Sequence, residues 1–264
     1  MVVQKFGGTS VADPDAIRRL IEIVRIARTR DSKGPVVVVS AMSKVTDSLL
    51  KIASDAGALR TDEALAQVEQ LRQRHRHVAS ALVTGDAVDP LIAYIDATLD
   101  QLRAVVQALA VLREVSPRTL DVVAAMGELL SSRIIAAAME SAGLPGEWVD
   151  ARSVIVTDDH YVSAAPLMRE TNAALRLVLL PLIKAGRVPV LGGFVGATRD
   201  GNTTTLGRGG SDFSGAIVGV GVDAQEIQIW TDVDGMLTAD PRLIPERSEE
   251  HTSELQSRFG ISYA

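Results

Sequence analysis

The run VVVVSAMSKVTD, residues 36–47, decides the fold class. Four successive valines leave no polar face. The strand they form must be buried on both sides, as in a parallel sheet covered by helices. Ser40 then stands at the carboxyl end of that strand and Thr46 at the start of the next helix. Open α/β sheets place ligand crevices at that end, and Ser and Thr also cap helices, so both readings stand for these two hydroxyls. Working outward, Lys33-Gly34-Pro35 breaks the chain before the valines. VVQKF (2–6) predicts a first strand running into Gly7-Gly8. Asp13 and Pro14 supply an N-cap and a first-turn proline, and Ile17, Leu20, Ile21 and Val24 recur at helical spacing. Helices are predicted over 43–56, 62–83 and 89–115. Another opens at Ser116-Pro117 with Leu120, Val123, Gly127, Leu130 and Ile134 on one stripe. GEWVD and SVIVT read as short strands, 167–185 as a helix, VPVLGGF and EIQIWT as strands, and 213–220 as the helix between them. This alternation predicts an α/β domain whose parallel or mixed sheet is sandwiched by helices.

Composition narrows the function. The chain has 264 residues, 47% of them hydrophobic, enough for one large α/β domain or two small ones. A net charge of -6 without a Lys/Arg block argues against a nucleic-acid surface. No cysteine is present, so there is no disulfide framework and no Cys-based metal site. The N-terminus lacks the pattern of a signal peptide, and no continuous apolar run reaches membrane-spanning length. The expectation is a soluble cytoplasmic protein without a membrane partner.

Four further stretches carry candidate chemistry, and a fifth sets the end of the domain. KFGGTS (5–10) puts two glycines after a strand, where backbone N–H groups can approach an anion that Lys5 also reaches. Taken alone, a tight β-to-α turn is the simpler account. Glu128, in AAMGELLSS, is the only acid between Asp121 and Glu140, with Ala124, Ala125, Ser131 and Ser132 as small helical neighbours. It is either an open binding shelf or a solvent-facing glutamate. TTTLGRGGSD (203–212) is too polar for a strand core and too glycine-rich for a helix interior. It places Ser211 and Asp212 at a helix N-terminus beside Arg208. Arginine and aspartate together suit a zwitterion, carboxylate to Arg208 and ammonium to Asp212. WTDVDGMLTADPR (230–242) leaves a strand into a turn. Asp232, Asp234 and Gly235 lack calcium-loop spacing, so a nucleotide-contacting turn and a plain turn both fit. RSEEHTSELQSRFGISYA (247–264) is polar and aperiodic, and its first part resembles the translation of a sequencing-library adapter. Residues 1–246 are therefore expected to form one domain and 247–264 a non-native or disordered tail.

Taken in order, KFGGTS, VVSAMSKVTD, MGELLS, TTTLGRGGSD, TDVDG and TADPR resemble the catalytic domain of aspartate kinases, within the amino acid kinase family. The resemblance implies a three-layer αβα sandwich with a mostly parallel central sheet. It also implies transfer of the γ-phosphoryl group of ATP to the side-chain carboxylate of L-aspartate, giving 4-phospho-L-aspartate. That is the first step toward lysine, threonine, methionine and diaminopimelate. By the same resemblance Lys5 contacts the transferring group, and Gly7, Gly8, Thr9 and Ser10 surround the phosphates. Ser40, Thr46, Glu128, Phe194, Arg208, Ser211 and Asp212 form the aspartate pocket, Lys5 and Asp212 being catalytic. Thr231, Asp232 and Arg242 contact the nucleotide, and Leu237 stands where many relatives carry tyrosine. Mg²⁺ is expected on phosphates and water, without a protein ligand. Intact relatives are homo-oligomers. A lysine-bearing segment and small regulatory domains follow this region in the family and are absent from this sequence. The expectation is weak or no turnover and no feedback inhibition by lysine or threonine. A non-catalytic ligand-binding fragment and a sibling kinase with another acyl acceptor are the alternatives.

Overall fold

The computed structural model describes residues 1–31, 34–207 and 209–231, and the backbone of Ile261–Tyr263. Six strands form the main sheet: β1 (Val2–Phe6), β2 (Val36–Val39), β3 (Gly146–Val149), β5 (Val188–Gly192), β8 (Glu226–Trp230) and β9 (Ile261–Tyr263), in the order β3-β5-β2-β1-β8-β9. Every neighbouring pair is parallel. β9 falls in the stretch read from sequence as a tail, and the expected boundary at residue 246 lies outside the described residues.

The pleat divides the side chains between two cores. Phe6, Val37, Val39, Val188 and Val190 face one, shared with α1 (Pro14–Arg30), α2 (Val45–Gly57), α3 (Thr61–Leu82), α4 (Val88–Leu112) and α5 (Pro117–Ser141). Val3, Val36, Val38, Leu191 and Ile227 face the other, with α6 (Met168–Lys184) and α7 (Gly210–Gly221). The result is the three-layer αβα sandwich with a parallel central sheet. Val36 to Val39 are fully buried, as two covered faces require. The predicted cap of α1 is present: the Asp13 carboxylate accepts the Ala16 N–H at 2.8 Å, with Pro14 in the first turn.

Helix α5 is long and apolar enough to cross a bilayer by length and composition, although polar residues interrupt it. Its most apolar window is 83% buried against the rest of the molecule, so it is a core helix.

A second, three-stranded sheet joins β4 (Val156–Thr157), β6 (Val195–Thr198) and β7 (Thr203–Thr205), with β6 and β7 antiparallel. This corrects two sequence readings. Most of SVIVT is a 3-10 turn and its exit, leaving a two-residue strand. The threonines judged too polar for a strand are β7, with Thr204 and Thr205 buried. Their hydroxyls have partners that the local sequence does not show. Thr204 Oγ1 lies 2.7 Å from Thr157 Oγ1, and Thr205 Oγ1 donates to Asp121 at 2.5 Å. Satisfied hydroxyls cost little to bury.

Candidate active site

Because β1, β2, β5 and β8 are parallel, their carboxyl ends share one rim, and the candidate residues cluster there. Lys5 is the next-to-last residue of β1 and only 4% exposed. A buried ammonium needs a counter-charge. Asp212 supplies it, Oδ1 standing 2.5 Å from Lys5 Nζ. Asp212 lies in the first turn of α7, where unpaired N–H groups and the positive end of the helix favour an anion. α7 begins at Gly210, earlier than its apolar pattern suggested, so Ser211 and Asp212 are helical.

Gly7 sits between Lys5 and Thr231: a Cβ placed on it would stand 3.7 Å from both Lys5 Nζ and Thr231 Oγ1. Its N–H is already given to the Trp230 carbonyl at 2.9 Å. Among the described residues no hydrogen bond uses the N–H of Gly8 or Thr9. These are the groups at this turn able to meet an anion, so the sequence reading of two donating glycines narrows to Gly8 and Thr9. Ser10 Oγ points to the Trp230 carbonyl at 3.4 Å. Between this turn, α1 and β8 lies a cavity of about 270 Å³ whose lining includes Thr9, Ser10, Arg19, Trp230 and Thr231.

Glu128 resolves toward burial. It is 4% exposed, and Oε2 has no hydrogen-bond partner among the described residues. Burial pushes its carboxyl up to about 8, against which the Ala41 backbone N–H favours the charged form. Gly192, at the end of β5, makes this packing possible, since a Cβ there would come within 3.0 Å of Glu128 Cβ and 3.1 Å of its carbonyl oxygen. The adjoining Gly193 lets the strand end approach α7: a Cβ there would lie 2.9 Å from Ser211 Cα. Phe194 follows in the left-handed region at φ 64, its N–H donated to Ser214 Oγ at 2.8 Å. An aromatic residue holds that conformation only when its surroundings enforce it.

Ser40 closes β2, and its carbonyl accepts the Ser131 hydroxyl at 2.8 Å, fastening α5 to the rim. Neither Ser40 nor Thr46 caps α2: the cap position is Lys44, at φ 65, without a side-chain bond. The capping alternative is thereby removed for both. The structure thus brings together Lys5, Gly7, Gly8, Thr9, Ser10, Thr231, Ser211 and Asp212 around β1, and Ser40, Glu128 and Phe194 at the ends of β2 and β5. Arg208, Asp232, Leu237 and Arg242 lie outside the described residues. Sequence reading singled out Ser131 only as a small neighbour of Glu128, and Gly193 not at all. It used Asp121 only to bracket Glu128, although a seven-residue spacing on one helix places the two acids on a common side.

The sequence pattern described as "Amino acid kinase family" matches residues 1–257. The chain belongs to the amino acid kinase family. It is 33% identical over 264 residues to the bifunctional aspartokinase/homoserine dehydrogenase 2, chloroplastic, of Arabidopsis thaliana, covering 99% of this chain and 28% of that protein. It is 32% identical over 244 residues to lysine-sensitive aspartokinase 3 of Escherichia coli, covering 92% of this chain and 51% of the relative. Among solved structures, E. coli aspartokinase III in complex with aspartate and ADP superposes with a TM-score of 0.83 at 31% identity, over 94% of this chain and 53% of the other. The chain therefore spans about half the length, or less, of these relatives.

Proposed function

We propose that this chain is the kinase domain of an aspartate kinase, moving the γ-phosphoryl group of ATP onto the side-chain carboxylate of L-aspartate. The observation that carries the reading is the pairing on one rim of a buried lysine, held by Asp212 at 2.5 Å, with a buried glutamate whose Oε2 is unpartnered. The relatives named above are aspartokinases, and one was solved with aspartate and ADP.

The chemistry suits these residues. The acceptor carboxylate is already an anion at neutral pH, so no general base is needed. One carboxylate oxygen bonds to the γ-phosphorus as the bond to the ADP oxygen breaks. The barrier lies in bringing two anions together and spreading charge over the transferring group. Lys5, pre-set by Asp212, meets that charge without reorganising. The N–H groups of Gly8 and Thr9 take phosphate oxygens, with Ser10 and Thr231 beside them. Asp212 is committed to Lys5, so the substrate ammonium goes to Glu128. Arg208 takes the α-carboxylate, and Asp232 and Arg242 the nucleotide. Ser40, Thr46, Phe194 and Ser211 line the acceptor side. Bound Mg²⁺ would offset the charge of the nucleotide phosphates. Among the described residues no group of three His, Asp or Glu side chains is placed to hold an ion.

The test is trapping of acyl phosphate as the hydroxamate, with the chain supplied MgATP and L-aspartate. The expected result is a yield that requires aspartate and falls roughly a hundred- to a thousandfold in Lys5→Ala, the order of loss when a preorganised charge stabiliser is removed. Yield with glutamate or acetylglutamate in place of aspartate would assign a sibling acyl acceptor. Binding of both ligands without any yield would make the chain a ligand-binding fragment.

A further inference from the structure

We infer that Asp121 is a positioning residue for the amino-acid acceptor, setting where the first turn of α7 stands, with Ser211 on the acceptor side and Asp212 against Lys5. The term acceptor rests on the function proposed above; the positioning does not. Asp121 is 1% exposed and lies near the start of α5, away from the strand rim. Its Oδ1 accepts the Thr205 hydroxyl at 2.5 Å, and its two oxygens accept the Val162 N–H at 3.0 and 2.9 Å. Val162 is a β-branched residue at φ 73, a conformation it keeps only under constraint. Ala164 N–H donates to the Thr205 carbonyl at 2.9 Å. One carboxylate thus ties both the 158–165 loop and β7 to α5.

β7 is the approach to α7. Leu206 N–H bonds the Phe194 carbonyl at 2.9 Å, Gly210 N–H the Gly207 carbonyl at 3.0 Å, and Asp212 N–H the Gly209 carbonyl at 3.1 Å. Asp212 follows Thr205 by only seven residues, so displacement of β7 is passed to the Lys5 ion pair over a short chain. Glu128 sits seven residues along the same helix from Asp121, roughly 10 Å at the usual rise. Helix α5 therefore contributes Glu128 to the acceptor site directly and, through Asp121, fixes the approach to Ser211, which packs on Gly193 beside it.

The experiment compares the parent chain with Asp121→Asn, Thr205→Val and the double variant, each checked for folding by circular dichroism. Amide hydrogen exchange at Asp212 and Phe213 is read beside calorimetric titration with L-aspartate and with MgADP. Losing a buried charge-assisted bond predicts exchange about tenfold faster in that turn with α1 unchanged, and an aspartate Kd raised about tenfold with the MgADP Kd unmoved. The double variant should be no worse than Asp121→Asn, because both act through one contact. Thr205→Val keeps the test open if Asp121→Asn does not fold. Unchanged exchange in the first turn of α7 in a folded variant would overturn the inference, as would equal weakening of aspartate and MgADP. Faster exchange with no aspartate binding even by the parent would uphold the positioning and remove the acceptor assignment.

Discussion

Helix α5 carries two buried acids two turns apart, and they have opposite fates. Asp121 is fully engaged, taking the Val162 N–H and the Thr205 hydroxyl. Glu128, equally hidden, leaves Oε2 without a partner. A buried carboxylate with its bonds filled is a structural tie. One left open in a folded chain keeps an unmet cost, which a bound ligand or water can relieve. Burial raises both groups above the ordinary carboxylate range, but for Asp121 the Thr205 and Val162 bonds pull the other way. Glu128 has only backbone help and is pushed up to about 8.

The largest way to break this contrast is to empty the filled site. Asp121→Ala strands the Val162 N–H and the Thr205 hydroxyl, and should cost roughly 3 to 4 kcal/mol of stability by denaturant unfolding. Glu128→Gln should do the reverse. Its stability should match or exceed the parent at pH 8, while aspartate affinity falls about a hundredfold in calorimetry, as expected when a buried charge partner is removed. The sign follows from the raised value. A carboxyl held above its unfolded pKa stabilises the fold in its protonated form, and that contribution is lost as pH rises through about 8. Aspartate affinity should run the opposite way, climbing by at most about tenfold per pH unit up to about 8 and levelling above it, with no such slope in Glu128→Gln. Ser131→Ala gives the smallest effect. It removes one hydroxyl bond to the Ser40 carbonyl, for about 1 kcal/mol of stability and less than about threefold in affinity.

Much of the fold could be read from the chain, because the relevant forces are local. Four valines in a row dictate a strand covered on both sides, and Asp13-Pro14 dictates a helix start. β7 was unreadable for the complementary reason. What makes Thr204 and Thr205 suitable for burial is a hydroxyl on β4 and a carboxylate on α5, both far off in sequence. The candidate site divides the same way. Lys5, Gly8 and Asp212 announced themselves by position next to a strand end or helix start. Whether Glu128 faced solvent or an interior could not be decided from small neighbours alone, since the deciding contacts are with Ala41 and Gly192. Asp121 looked like an ordinary helix acid until its partners were in place.

The most direct measurement is the proton count on aspartate binding, obtained by titrating L-aspartate at pH 7 in two buffers of different ionisation enthalpy. If the open carboxylate receives the substrate ammonium, the parent should release a large part of one proton as Glu128 ionises. Glu128→Gln should then bind more weakly and release almost none. Tight aspartate binding with no proton release by the parent, or the same release by Glu128→Gln, would contradict the assignment of Glu128 to the ammonium.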